Sequence, residues 1–156
     1  ALKHANLATY QRHIAPWLHS ATGDHFTTVA LMREPIDWLR SWYRFRQRDD
    51  DEDPDHAMTG ISFADFAAHY ARPDGMRAAQ VGTQAGFLTE EDVRVDRIFR
   101  YEDMDDFTHF LEDRLDCALS LPRVNVPPPV DVSLTAAQET SLRQVMERDL
   151  RLYASL

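Results

Sequence analysis

The sequence predicts an α/β protein with a parallel sheet, on three observations. Phe26-Thr27-Thr28-Val29-Ala30-Leu31-Met32 is β-branched and apolar without clean alternation, the pattern of a strand covered on both faces. Pro35 follows almost at once, in the first-turn position of a helix that runs to about Gln47. A second short strand, Arg97-Ile98-Phe99-Arg100-Tyr101, leads in the same way into an amphipathic helix over about 103–115.

The remaining elements follow in order. Asn6 is a helix N-cap, and Leu7, Tyr10, Ile14 and Leu18 recur at helical spacing, so a helix is expected over 6–18. Residues 49–60 form an acidic loop. Ser62 caps a helix over Phe63–Tyr70, and residues 75–88 read as helical with breaks at Gly82 and Gly86. Residues 126–130, Val-Pro-Pro-Pro-Val, must be an extended connector, because consecutive prolines fit neither helix interior nor central strand. Thr135 and Gln138 make a capping box for the last helix. Leu142, Val145, Met146, Leu150 and Tyr153 track one face of it, interrupted by one acid, Asp149.

Composition bounds the function. The chain has 156 residues, enough for a single domain over 1–156, and a formal net charge of −9. That acidity argues against a nucleic-acid polymer as partner, whose phosphates require a basic surface. Cys117 is the only cysteine, which excludes a disulfide framework and a cysteine-rich zinc site. No apolar run approaches the ~20 residues of a membrane span. Lys3 is the only lysine among 17 basic residues. The arginine fork suits phosphate and carboxylate better than a lysine point charge does.

Two apparent metal motifs fail. An EF-hand loop beginning at Asp49 would need Gly and Glu where Pro54 and Gly60 stand. The histidines show no His-x-x-x-His pair, so no metal site is expected.

The sharpest signal is Arg33. In parallel α/β sheets ligands bind beyond the carboxyl ends of strands, and Arg33 stands at such an end. Ser41 lies about two helical turns on, so a guanidinium and a hydroxyl can converge on one phosphate. The alternative is that Arg33 pairs with a carboxylate and Ser41 packs as a small residue. Arg40, beside Ser41, can assist a phosphate or form an ion pair with Asp37 or Glu34.

At Val29–Tyr43, with Arg-x-Pro and then Ser eight residues after the Arg, the chain resembles the sulfotransferase superfamily. Phe99-Arg100-Tyr101-Glu102-Asp103-Met104 is similar to the strand-to-helix segment that follows its variable middle region, and Asp149-Leu150-Arg151-Leu152-Tyr153 to the closing helix of its bacterial and membrane-type members. The resemblance implies a P-loop-like parallel sheet flanked by helices. It also implies 3′-phosphoadenosine 5′-phosphosulfate as co-substrate, its 3′-phosphate held by Arg33 and Ser41. Arg123 becomes a further cofactor-binding candidate, from a late basic segment, and His4 a candidate catalytic base. The acceptor would be a small molecule or carbohydrate bearing a hydroxyl or amine, walled by the helices of 62–88.

The family's N-terminal strand and Gly-rich phosphosulfate loop have no counterpart here, since the glycines at 23, 60, 75, 82 and 86 form no such turn. The expectation is therefore the C-terminal portion of a bacterial, cytoplasmic sulfotransferase, catalytically incomplete by itself. A kinase-like P-loop module and a non-catalytic interaction domain are the alternatives.

Overall fold

A computed structural model describes residues 4–47, 58–122 and 129–156. The predicted site residue Arg123, most of the acidic loop and most of the proline connector lie outside them.

The first helix is built in three pieces: α1 (Leu7–Thr9), a π turn (Tyr10–Ile14) and α2 (Ala15–Thr22). Asn6 caps it as expected, its side chain accepting from the Thr9 N–H at 2.9 Å. It outlasts the predicted Leu18 because nothing breaks it before Gly23, whose left-handed backbone (φ 77°) ends the helix. Pro16 has no N–H to offer the preceding turn, and the helix widens just ahead of it.

Strand β1 (Val29–Met32) runs parallel to a later strand over 97–100, with Val29 opposite Arg97 and Met32 opposite Arg100. It is shorter and less covered than its apolar run predicts, since Phe26 and Val29 are exposed. Two strands offer too little sheet to bury both faces. At its start, the Asp96 carboxylate accepts from the Thr28 N–H and hydroxyl, both at 2.7 Å, which holds its carboxyl below the usual carboxylate range.

Helix α3 (Pro35–Arg46) follows, then α4 (Phe63–Tyr70). Ser62 and Asp65 cap α4 reciprocally. The segment after α4 is not the broken helix of the prediction. It contains a 3₁₀ turn (Arg77–Ala79), the short helix α5 (Gln84–Leu88), and an unpredicted antiparallel hairpin, β2 (Thr89–Glu90) with β3 (Val93–Arg94). Glu91 supplies the positive φ its turn requires. Then come β4 (Arg97–Arg100), α6 (Met104–Leu115), α7 (Ala136–Val145) and α8 (Glu147–Ala154).

The core lies between helices. Ile36, Leu39 and Tyr43 of α3 meet Phe63, Phe66 and Ala67 of α4, with Ala78, Ala79, Leu142 and Met146 closing it. The Tyr43 ring lies 5.5 Å from Phe63 and 5.6 Å from Phe66, and its hydroxyl donates to the Ile61 carbonyl at 2.8 Å. A smaller cluster of Leu7, Met32, Leu88 and Val95 lies under β1. The capping box at Thr135 and Gln138 is present, but the predicted last helix breaks at buried Met146, and Val145 turns outward. The architecture is mixed α/β with a parallel strand pair, and no described helix is long and apolar enough to cross a membrane.

Candidate functional site

The carboxyl end of β1 brings together three segments that are far apart in sequence. Thr28 and Met32 accept from the Arg97 and Tyr101 N–H groups at 3.1 and 2.8 Å, so even-numbered residues of β1 face β4. Odd-numbered residues face away from it. At Arg33, one residue past the paired ladder, the Gln84 side-chain amide takes the place of a neighbouring strand. The Arg33 N–H donates to Gln84 Oε1 at 3.0 Å, and Gln84 Nε2 donates to the Arg33 carbonyl at 2.8 Å.

Gln84 opens α5, whose first donors are fully accounted for. The Gln84 and Ala85 N–H groups donate to Asp149 of α8, at 3.3 and 2.7 Å. The Gly86 N–H donates to the Thr83 hydroxyl at 3.0 Å. Asp149 is 1% exposed, and burial raises its carboxyl above the usual range against the downward pull of those two N–H groups and Arg148. Half-buried Tyr70 loses solvation and feels the charge of that acid, and its phenol is pushed up to about 12.

The Arg33 side chain is engaged as well. Its Nε donates to Asp37 Oδ2 at 2.6 Å, its Nη2 pairs with the same oxygen, and the guanidinium lies 4.9 Å from the Tyr101 ring centroid. Glu34 caps α3, accepting from the Asp37 N–H at 2.8 Å, while its own N–H donates to Glu102 at 2.9 Å. The other Glu102 oxygen accepts from the Tyr153 hydroxyl at 2.9 Å. Burial and that carboxylate push the Tyr153 phenol up to about 12. Arg100 completes the knot, 4.8 Å from the Tyr153 ring centroid. Residues 33–37, 100–102 and 149–153 thus interlock around one strand end.

Beside this knot lies an open cleft of about 490 Å³. Leu31, Trp38, Trp42, Gln84, Phe87 and His4 are among its walls. A shallower hollow of about 330 Å³ is lined by Trp38, Ser41, Trp42 and Phe45. The two tryptophans separate the hollows, with ring centroids 6.3 Å apart and edge-on.

Of the sequence candidates, His4 reaches the larger cleft, and Ser41 the smaller. Arg33 stands behind Gln84 with Asp37 as partner, and Ser41 lies one turn beyond Asp37 along α3. Asp37 is therefore taken by Arg33 rather than Arg40, which lies over the Phe63 ring at 6.0 Å. Of the segment expected to wall an acceptor site, Gln80 to Leu88 supplies cleft residues, whereas α4 turns Phe63, Phe66 and Ala67 into the core. Gln84, Asp149 and Glu102 were not among the predicted site residues. Asp149 carried a signal as the one acid on an apolar helix face, Glu102 lay inside a segment of the family resemblance, and Gln84 carried none.

Fold and site define a mixed α/β protein with an arginine-centred knot at the end of a parallel strand pair. No protein-family model, curated protein or solved structure matches this chain.

Proposed function

We propose that this chain is the 3′-phosphate-binding part of a sulfotransferase, acting with 3′-phosphoadenosine 5′-phosphosulfate on a small-molecule or carbohydrate acceptor. The observation that carries the reading is the meeting of three separated segments, around Arg33, Tyr101–Glu102 and Tyr153, at the carboxyl end of a parallel strand. In this reading the guanidinium exchanges its Asp37 partner for the 3′-phosphate, and Ser41, one turn beyond Asp37, adds its hydroxyl. His4, exposed at the cleft, accepts the proton of the acceptor hydroxyl or amine. The acceptor oxygen or nitrogen bonds to sulfur as the bond from sulfur to the nucleotide phosphate breaks, and the bisphosphate carries away the charge.

One observation favours a second reading, an interaction domain that binds no nucleotide: Arg33 already has a carboxylate partner. Titration with adenosine 3′,5′-bisphosphate and with adenosine 5′-monophosphate separates the two, read by thermal shift and calorimetry. The sulfotransferase reading expects the bisphosphate to bind tighter. It expects Arg33→Ala to weaken bisphosphate binding by about 10- to 100-fold, the worth of a hydrogen-bonded charge. Equal affinity for the two nucleotides, or an unchanged constant in Arg33→Ala, refutes it.

A further inference from the structure

We infer that Gln84 and Asp149 are positioning residues for Arg33, forming a hydrogen-bond relay that fixes the backbone from which its guanidinium reaches a ligand. The inference rests on the reading of Arg33 as a phosphate ligand.

Arg33 lies beyond the last paired residue of β1, and its backbone points away from β4, so the sheet does not hold it. Both of its backbone polar groups go to one side chain, Gln84, which is 7% exposed. Gln84 in turn sits on a five-residue helix. So short a helix is not held by its own ladder, because nucleation costs more than a single turn returns. The Asp149 carboxylate, delivered from α8, binds its first two N–H groups and so fixes where Gln84 starts. A guanidinium that must turn from Asp37 to an incoming phosphate needs a fixed pivot. Without one, part of the binding energy goes into ordering the loop.

The test measures amide hydrogen exchange at Arg33 by NMR, with the Met32 amide, which faces β4, as internal reference. Gln84→Met keeps the volume and removes both bonds. Arg33 exchange should rise about three- to tenfold, the equivalent of one net hydrogen bond, with Met32 unchanged. Gln84→Glu keeps an acceptor for the Arg33 N–H but replaces the donor to the Arg33 carbonyl with an oxygen, so Arg33 exchange should rise here as well. Asp149→Asn, which presents an amide N–H₂ to one of the two donors, should raise Arg33 exchange by a smaller factor. Affinity for adenosine 3′,5′-bisphosphate should fall about three- to tenfold in Gln84→Met while that for the 5′-monophosphate holds. A merely structural role would not split the two nucleotides.

Unchanged Arg33 exchange in Gln84→Met, or exchange rising in step with Met32, overturns the relay. Wild-type exchange in Asp149→Asn removes Asp149 from it. Arg33 loosened as expected in a protein that does not distinguish the two nucleotides refutes the phosphate reading and leaves the relay standing.

Discussion

Replacing Asp149 by alanine tests how much a single buried carboxylate contributes to this fold. The substitution leaves two N–H groups at the start of α5 without an acceptor, in a place that water does not reach. Each stranded donor costs ~1–3 kcal/mol. The 2.7 Å bond to Ala85 counts nearly in full, and the 3.3 Å bond to Gln84 for less. Removing the carboxylate also relieves a desolvation cost, visible in its raised titration. The net loss should be about 2–3 kcal/mol, read as a fall in the urea midpoint with the slope unchanged. Asp149→Asn separates the two effects. Because burial raises the folded-state pKa, the wild type holds this contribution below the ordinary carboxylate range near pH 4. It loses the contribution as pH climbs through the raised value. Asparagine does not titrate, so Asp149→Asn should gain on wild type as pH is raised from 4 to 7. An Asp149→Ala midpoint within about 0.5 kcal/mol of wild type would refute the capping argument, since that is the range of ordinary surface substitutions.

Two further substitutions check other parts of the site and core. A Cβ at Gly75 would overlap the His69 carbonyl group and crowd the Gln80 side-chain amide, so Gly75→Ala should destabilise by about 2 kcal/mol or more in thermal melts. Tyr153→Phe removes the donor to Glu102 and should cost about 1 kcal/mol. In a spectrophotometric titration it should also abolish a phenol that ionises only near 12.

Local rules carried the sequence reading furthest. Asn6, Ser62 and Thr135 cap helices as their side chains dictate, because a cap is decided within three or four residues. Pro35 starts α3, and β1 and β4 pair in parallel, as an α/β order requires. Non-local competition explains the failures. Residues 75–88 carry helix-forming alanines, yet Gln84 is drawn to the backbone of Arg33 and Asp149 holds the start of α5, which leaves only short turns. The apolar run of β1 reads as a doubly covered strand, but its covering depends on how many strands join, which no local pattern encodes. Arg33 was legible as a strand-end arginine. Pairing of Arg33 with a carboxylate was the stated alternative, but helical spacing offers Asp37 or Glu34 only to Arg40, because it does not describe a residue outside the helix such as Arg33. The Glu102 and Tyr153 contacts join residues about fifty apart in the chain and leave no periodic trace.

The tryptophan arrangement makes this chain its own optical reporter. Trp17 is 67% exposed on α2, far along the chain from the pair that lines both hollows. Trp38 and Trp42 stand edge-on, with the Arg46 guanidinium 5.6 Å from the Trp42 ring centroid. In a Trp17→Phe background, every indole photon comes from the partition between the two hollows. A molecule entering either one would then register as a change in emission or in the near-ultraviolet dichroism of the coupled pair, without any label.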